Sequence, residues 1–188
     1  MQYLNIYCPT NRTMVDFDPF IKVVVVGDQS VGKSWFVSYL INEKPPSKDK
    51  ASSLFDSQVK QIEVDGIEYE VTVWDTPGGE EMKKLRCHAY PETDVILLCY
   101  SVDDQVSFHN VARKWLPELK RHCRGVPKIL LGLKSDLKRN SLKPMVSEKE
   151  GEIMQLHINA TAFYEYSIVV RMGMRKKMTA YRKSCSIQ

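Results

Sequence analysis

Apolar residues fall into two spacings along this chain, and their alternation predicts most of its elements. Ile21–Val26 is a short β-branched run closed by Gly27, the pattern of a strand covered on both faces. From Lys33 to Asn42, Phe36, Val37, Leu40 and Ile41 recur at helical spacing, and Pro45-Pro46 stops the helix. Ser47 to Ser53 is too rich in Lys and Ser to be core. Val59–Val64 and Ile67–Trp74 flank Asp65-Gly66, a strong two-residue hairpin signal. After a Gly-containing loop, Val95–Tyr100 and Lys128–Gly132 read as strands, separated by a helix from about Val106 to His122. Glu148 to Leu156 reads as a helix, Phe163–Tyr166 as a short strand and Val170–Tyr181 as a last helix. Strands alternating with helices predict an α/β fold: a doubly wound, six-stranded, mostly parallel sheet, with the hairpin supplying one antiparallel edge strand.

The 188 residues are 43% hydrophobic and 27% charged, enough for one core and a short appendage or two. Residues 1–20 lack periodicity and read as an extension, 21–170 as the domain, and 171–188 as a basic tail segment. The formal charge is +4, but Arg171, Arg175, Lys176, Lys177, Arg182 and Lys183 lie within 171–183, where there is no acid. Without those six, 21 bases face 23 acids, so the body is slightly acidic and one end of the chain is suited to an anionic surface. Five cysteines lacking metal-ligand spacing, and no basic leader before a long apolar run, lead us to expect a reducing cytosol. Nucleic acid is a poor partner for the basic end, since no aromatics interleave with bases as they do in single-strand readers. His88, His109, His122 and His157 read as surface residues, and Cys87 and Cys99 as ordinary core or half-buried positions.

Gly27-Asp28-Gln29-Ser30-Val31-Gly32-Lys33-Ser34 fits G-x-x-x-x-G-K-[ST] between a strand and a helix, the context in which that pattern binds nucleotide triphosphates. Backbone N–H groups of such a loop wrap a β-phosphate, Lys33 reaches the β and γ oxygens, and the Ser34 hydroxyl coordinates Mg²⁺. Asp75-Thr76-Pro77-Gly78, at the end of a strand, adds an acid for Mg²⁺ and a glycine N–H for the γ-phosphate. Alone, D-x-x-G is weak. In order after the phosphate loop and a hairpin it is strong, and the fold expected is that of a P-loop NTPase.

From about Ile21 to Ser167 the chain resembles the small GTPases, and within them the Rho family. The resemblance rests on Trp74-Asp75-Thr76-Pro77-Gly78-Gly79-Glu80-Glu81, Tyr90-Pro91-Glu92-Thr93-Asp94-Val95, Cys99-Tyr100-Ser101, Trp115-Leu116-Pro117-Glu118 and Val126–Gly132. It implies GTP or GDP with Mg²⁺, exchange factors and effector proteins as partners, and a monomer. Ser53 stands at the switch I threonine that meets Mg²⁺. Leu54, Phe55 and Asp56 resemble the effector-binding edge, and Gly79 to about Tyr90 would be switch II. The usual Rho insert helix is missing, with nine residues between Leu137 and Ser147.

The departures fall on two functions. Gln29 replaces a glycine of hydrolysing members, crowding the transition state, and Gly79 replaces the glutamine that orients the attacking water. The resemblance is therefore to the Rnd-type proteins that stay GTP-bound, with hydrolysis very slow or absent. No side chain but Glu80 lies beside Gly79 in sequence to stand in for the glutamine. At the base site Leu133-Lys134-Ser135-Asp136 replaces Asn-Lys-x-Asp. Asp136 still suits the guanine edge through charge-assisted bonds and the Lys134 stem suits its face, followed by Leu137, whereas Leu133 cannot do the work of asparagine. Pro45 aligns with the usual stacking aromatic. Ser167-Ile168-Val169 replaces Ser-Ala-Lys, leaving the Ile168 N–H for the guanine oxygen. Trp35 completes the nucleotide set, where it replaces a smaller residue of the family and nothing in the sequence explains its size.

Cys185-Ser186-Ile187-Gln188 fits C-a-a-X, with a terminal Gln that favours farnesyl, and the upstream bases would supply the second membrane signal. The plainer reading of those bases is the solvated face of a last helix, and both can hold. Together they imply the cytoplasmic face of membranes, the plasma membrane foremost, with a cytosolic pool. Two other readings remain open: an interaction scaffold without stable nucleotide, favoured by Leu133, Pro45 and the 167–169 segment, and a working hydrolase with another water-positioning group.

Overall fold

The computed structural model describes residues 18–46, 56–139 and 142–169. Its six strands form one sheet in the order β2-β3-β1-β4-β5-β6, where β1 is Phe20–Gly27, β2 Asp56–Val64, β3 Ile67–Asp75, β4 Val95–Ser101, β5 Lys128–Leu133 and β6 Ala162–Tyr166. Among the described residues, only the β2–β3 pairing is antiparallel. Asp65 and Gly66 both take positive φ, 53° and 79°, so the hairpin turns with the twist that two-residue loops favour. The expected sheet is thus the observed one.

The sheet carries a core on each face. Val24, Val26, Ile96, Leu98, Tyr100 and Leu130 point to one side, against Val111, Trp115 and Leu119. Val23, Val25, Val73, Leu97, Cys99 and Leu131 point to the other, against Phe36 and Val37 of helix α1 (Lys33–Asn42). Successive β-branched and Leu residues thus serve opposite faces, which is why β1 and β4 read as unbroken apolar runs.

Three details differ from the sequence reading. The loop after β3 contains a helical turn, α2 (Lys83–Arg86), and a 3₁₀ turn at Cys87–Ala89, both too short for periodicity to show. The helix expected from about Val106 to His122 runs as α3 (Gln105–Asn110), a π-helical segment at Val111–Trp115, and α4 (Leu116–His122). Pro117 has no N–H and its ring crowds the preceding turn, so a wider turn just before it keeps the helix continuous. Ser135–Arg139 forms a 3₁₀ turn where no element was expected. Helix α5 (Glu148–Ile158) starts at a capping box: the Ser147 hydroxyl accepts from the Glu150 N–H while the Glu150 carboxylate accepts from the Ser147 N–H. The expected helix over 170–181 lies outside the described residues.

β1, β3, β4, β5 and β6 run parallel, so Gly27, Asp75, Ser101, Leu133 and Tyr166 all end at one edge. The loops that follow them gather there, where ligands bind in open α/β sheets.

Candidate functional site

The phosphate loop closes β1 and opens α1, as its pattern requires. Lys33 is buried, and its Nζ donates to the carbonyls of Gly27 and Asp28, at 2.8 Å each. Burial pushes the Lys33 pKa down, while nearby Cys99, Asp75 and Asp28 work against that. An ammonium in such a place is suited to an anion that replaces those carbonyls. The Asp28 side chain is taken: its carboxylate accepts from Trp115 Nε1 at 2.8 Å and from Asn110, and lies 3.6 Å from Lys114 Nζ. Asp28 therefore serves the site through its backbone. Val31 is buried, whereas Gln29, Ser30 and Ser34 are exposed.

Asp75 ends β3 beside this loop. The Ser34 hydroxyl bonds its carboxylate, and Asp75 Oδ1 is left buried without a hydrogen-bond partner. Burial raises the Asp75 pKa, against the opposing pull of Ser34 and Lys33. An unmatched carboxylate oxygen next to a serine hydroxyl is the donor set a hard divalent cation takes, so these residues fit Mg²⁺. Gly78 lies directly on the phosphate loop: a Cβ there would fall 2.4 Å from Gln29 N and 2.6 Å from Gly27 O, so only glycine permits this approach.

The next residue corrects the sequence reading. Glu80 does not lie over Gly79 but pairs with Lys83 at 3.3 Å and Lys114 at 3.6 Å. It is Glu81 whose carboxylate folds back, filling the space where a Gly79 side chain would begin. The rest of the segment is tied to the long helix. Arg86, wholly buried, donates from Nε and Nη2 to the two Glu118 carboxylate oxygens at 2.8 Å each, and from Nη1 to the carbonyls of Pro77 and Gly79. Tyr90 also donates to Glu118, and Lys114 donates to the Gly78 carbonyl at 3.1 Å. Sequence reading missed these ties because Arg86 and Glu118 stand 32 positions apart.

A cavity of about 540 Å³ opens beside the loop, within the range of small-molecule sites. Ser30, Gly32, Lys33, Ser34 and Trp35 line one part of it, and Leu133, Lys134, Asp136, Leu137, Tyr166, Ile168 and Val169 the other. The Leu133 and Lys134 side chains come within 4 Å of where a Gly32 Cβ would stand, which brings the β5 end onto the phosphate loop. Asp136 accepts from the Ser167 hydroxyl at 2.7 Å, and that bond holds its carboxylate at the cavity. Val169 belongs to the 167–169 segment read from the sequence, whereas Tyr166 is a lining residue that reading missed. Tyr166 directly precedes the Ser167 that the sequence singled out, and its position at the end of a strand was the available signal. Its ring stands edge-on to Phe36, centroids 5.0 Å apart, with its hydroxyl buried and unpartnered. Pro45 is exposed and is not among the lining residues.

The phosphate loop, Asp75, Gly78, Lys134, Asp136, Leu137, Ser167 and Ile168 thus converge on one edge. Asp56 opens β2 opposite Asp75. Ser53, Leu54, Phe55 and Cys185 lie outside the described residues. His88, His109, His122 and His157 are exposed, and among the described residues no cluster of potential ligands could hold a metal by itself.

Residues 22–186 match the model of the Ras family. The chain is also 36% identical over 180 residues to the Ras-like GTP-binding protein RhoL of Drosophila melanogaster, an alignment covering 89% of this chain and 94% of that protein. Ras-family GTPases bind GTP or GDP with Mg²⁺, and the lysine, serine, aspartate and glycine just described are suited to those ligands. With motif, sheet order and relatives in agreement, the chain belongs to the Ras family of small GTPases and is Rho-like within it.

Proposed function

We propose that this protein is a Rho-like switch that holds Mg²⁺–GTP and hydrolyses it very slowly or not at all. One observation carries the reading: Lys33, Ser34, Asp75 and Gly78 keep a phosphate and cation site, while Gly79 offers no side chain to orient water and Gln29 occupies a phosphate-loop position where a side chain crowds the transition state. Loss of a transition-state donor is worth about 3–4 kcal/mol, some hundredfold to thousandfold in rate. Signalling output would then be set by abundance, location and modification. Effectors would read Leu54–Asp56 and switch II, exchange factors would act on the same face, and the protein would work as a monomer. The basic 171–183 segment and a prenyl group on Cys185 would hold it to the cytoplasmic face of membranes, the plasma membrane foremost, with a cytosolic pool. By resemblance, its output would be actin organisation and cell shape.

A scaffold with no stable nucleotide is the second reading, favoured by Leu133, a buried apolar side chain lining the cavity where the family has asparagine. Nucleotide released on denaturing the purified protein separates these readings. Equimolar GTP supports the switch and GDP a working hydrolase. An empty site that also fails to take a fluorescent GTP analogue with Mg²⁺ supports the scaffold. For the anchor, Cys185→Ser should move the protein from membranes to cytosol, and unchanged membrane association would refute lipidation.

A further inference from the structure

We propose that the Trp35 indole is the surface on which the heterocycle of the bound nucleotide lies, an inference that rests on the nucleotide-binding reading above. Trp35 sits in the first turn of α1, two residues after Lys33. Residues two apart on a helix point about 200° from each other, so Lys33 turns into the phosphate loop while Trp35 faces outward. Lys33 is 7% exposed and Trp35 49%, yet both line the same cavity. The charged and hydroxyl groups of the phosphate loop mark one part of that cavity as the place for phosphates. The other part is walled by Leu133, Leu137, Ile168 and the Lys134 stem, with Asp136 as its acid. Such a part suits a flat, largely apolar ring with a polar edge.

A ring of that kind needs a flat face to lie on. Of the two aromatic side chains that line it among the described residues, Tyr166 is committed edge-on to Phe36. Trp35 is the other, with half its surface still open. Nothing in the core calls for a tryptophan there: Phe36 and Val37 make the buried face of α1, and Trp35 belongs to neither core cluster. Pro45, where the resemblance placed the stacking aromatic, is exposed and absent from the lining. Trp35 therefore takes over the stacking from a different element. Stacking uses the ring face, so it supplies affinity, whereas discrimination between bases rests with Asp136 at the ring edge.

The test is titration of the full chain with the ribose-labelled fluorescent nucleotide methylanthraniloyl-GDP and Mg²⁺, in the wild type, Trp35→Phe and Trp35→Ala. Inorganic pyrophosphate serves as a competitor that has no ring. Trp35→Ala is expected to raise Kd about tenfold and Trp35→Phe less than about threefold, with pyrophosphate affinity unchanged in both. Thermal melts check that each variant is folded. Wild-type binding with Trp35→Ala within twofold of it, or tighter, overturns the inference alone. So does a parallel loss of pyrophosphate affinity, which would mark a structural effect. A wild type that binds no labelled nucleotide overturns the nucleotide-binding reading and this inference with it.

Discussion

At one end of the cleft, where the phosphates belong, Lys33, Asp28 and Arg86 are each held by hydrogen bonds. Lys33 holds the loop carbonyls, Asp28 is bonded by Trp115 and Asn110, and Arg86 is locked to Glu118 and two carbonyls of the 77–79 segment. At the other end, where the base belongs, Leu133 stands in place of an amide and the lining is mostly apolar, with one carboxylate, Asp136. The contrast shows two losses of different kind. The phosphate end keeps its phosphate- and cation-binding groups and has a glycine at 79, so on the proposed function it holds what it does not cleave. The base end keeps its shape, one acid and the Lys134 stem but has no amide at 133, which on the proposed function weakens grip and leaves the charge on the phosphates untouched.

The largest expected effect lies at the phosphate end. Arg86→Met leaves Glu118 buried without its cation, and should lower unfolding free energy by about 3–5 kcal/mol in urea melts. The same pair sets an acid limit. Burial pushes the Glu118 pKa up, but hydrogen bonds from Arg86 and Tyr90 outweigh it and hold the carboxyl below its ordinary value. A depressed folded-state pKa adds stability above the unfolded pKa and loses it as pH falls through the folded one. Wild-type stability should therefore fall on acidification below the ordinary carboxylate range more steeply than that of Arg86→Met.

At the base end, Leu133→Asn should tighten nucleotide about tenfold, equivalent to about 1.4 kcal/mol, in the same fluorescence titration. No gain would mean that the apolar wall is not what limits affinity there. Smallest is the cation site. Burial raises the Asp75 pKa, so the folded chain bears a strain above that pKa which is relieved as pH falls through it. Asp75→Asn should raise the melting temperature of the nucleotide-free chain by a few degrees, for about 1 kcal/mol, and abolish the stabilisation Mg²⁺ gives to the loaded chain.

Much of this was legible in the residues, for a physical reason. Phosphate binding is done by backbone in a short loop whose glycines, Lys33 and Ser34 must be contiguous, so local sequence carries it. The hairpin turn at Asp65-Gly66 and the capping box at Ser147 are local in the same sense. What was not legible depends on groups distant in sequence. The Arg86–Glu118 pair, the placement of Glu81 over Gly79, and the entry of Tyr166 into the cavity are set by how loops meet, and no spacing rule encodes them. The π-helical segment lay between the two: Pro117 marked the place, but a smooth apolar periodicity concealed the wider turn.

The claim that binding survives while cleavage does not is tested most directly by single-turnover release of phosphate from the GTP-loaded chain, compared with the paired variant Gln29→Gly with Gly79→Gln. The account predicts no measurable release from the wild type over hours and release at least about a hundredfold faster from the variant. Equal rates, with the wild type emptying its GTP as fast as the variant, would contradict it.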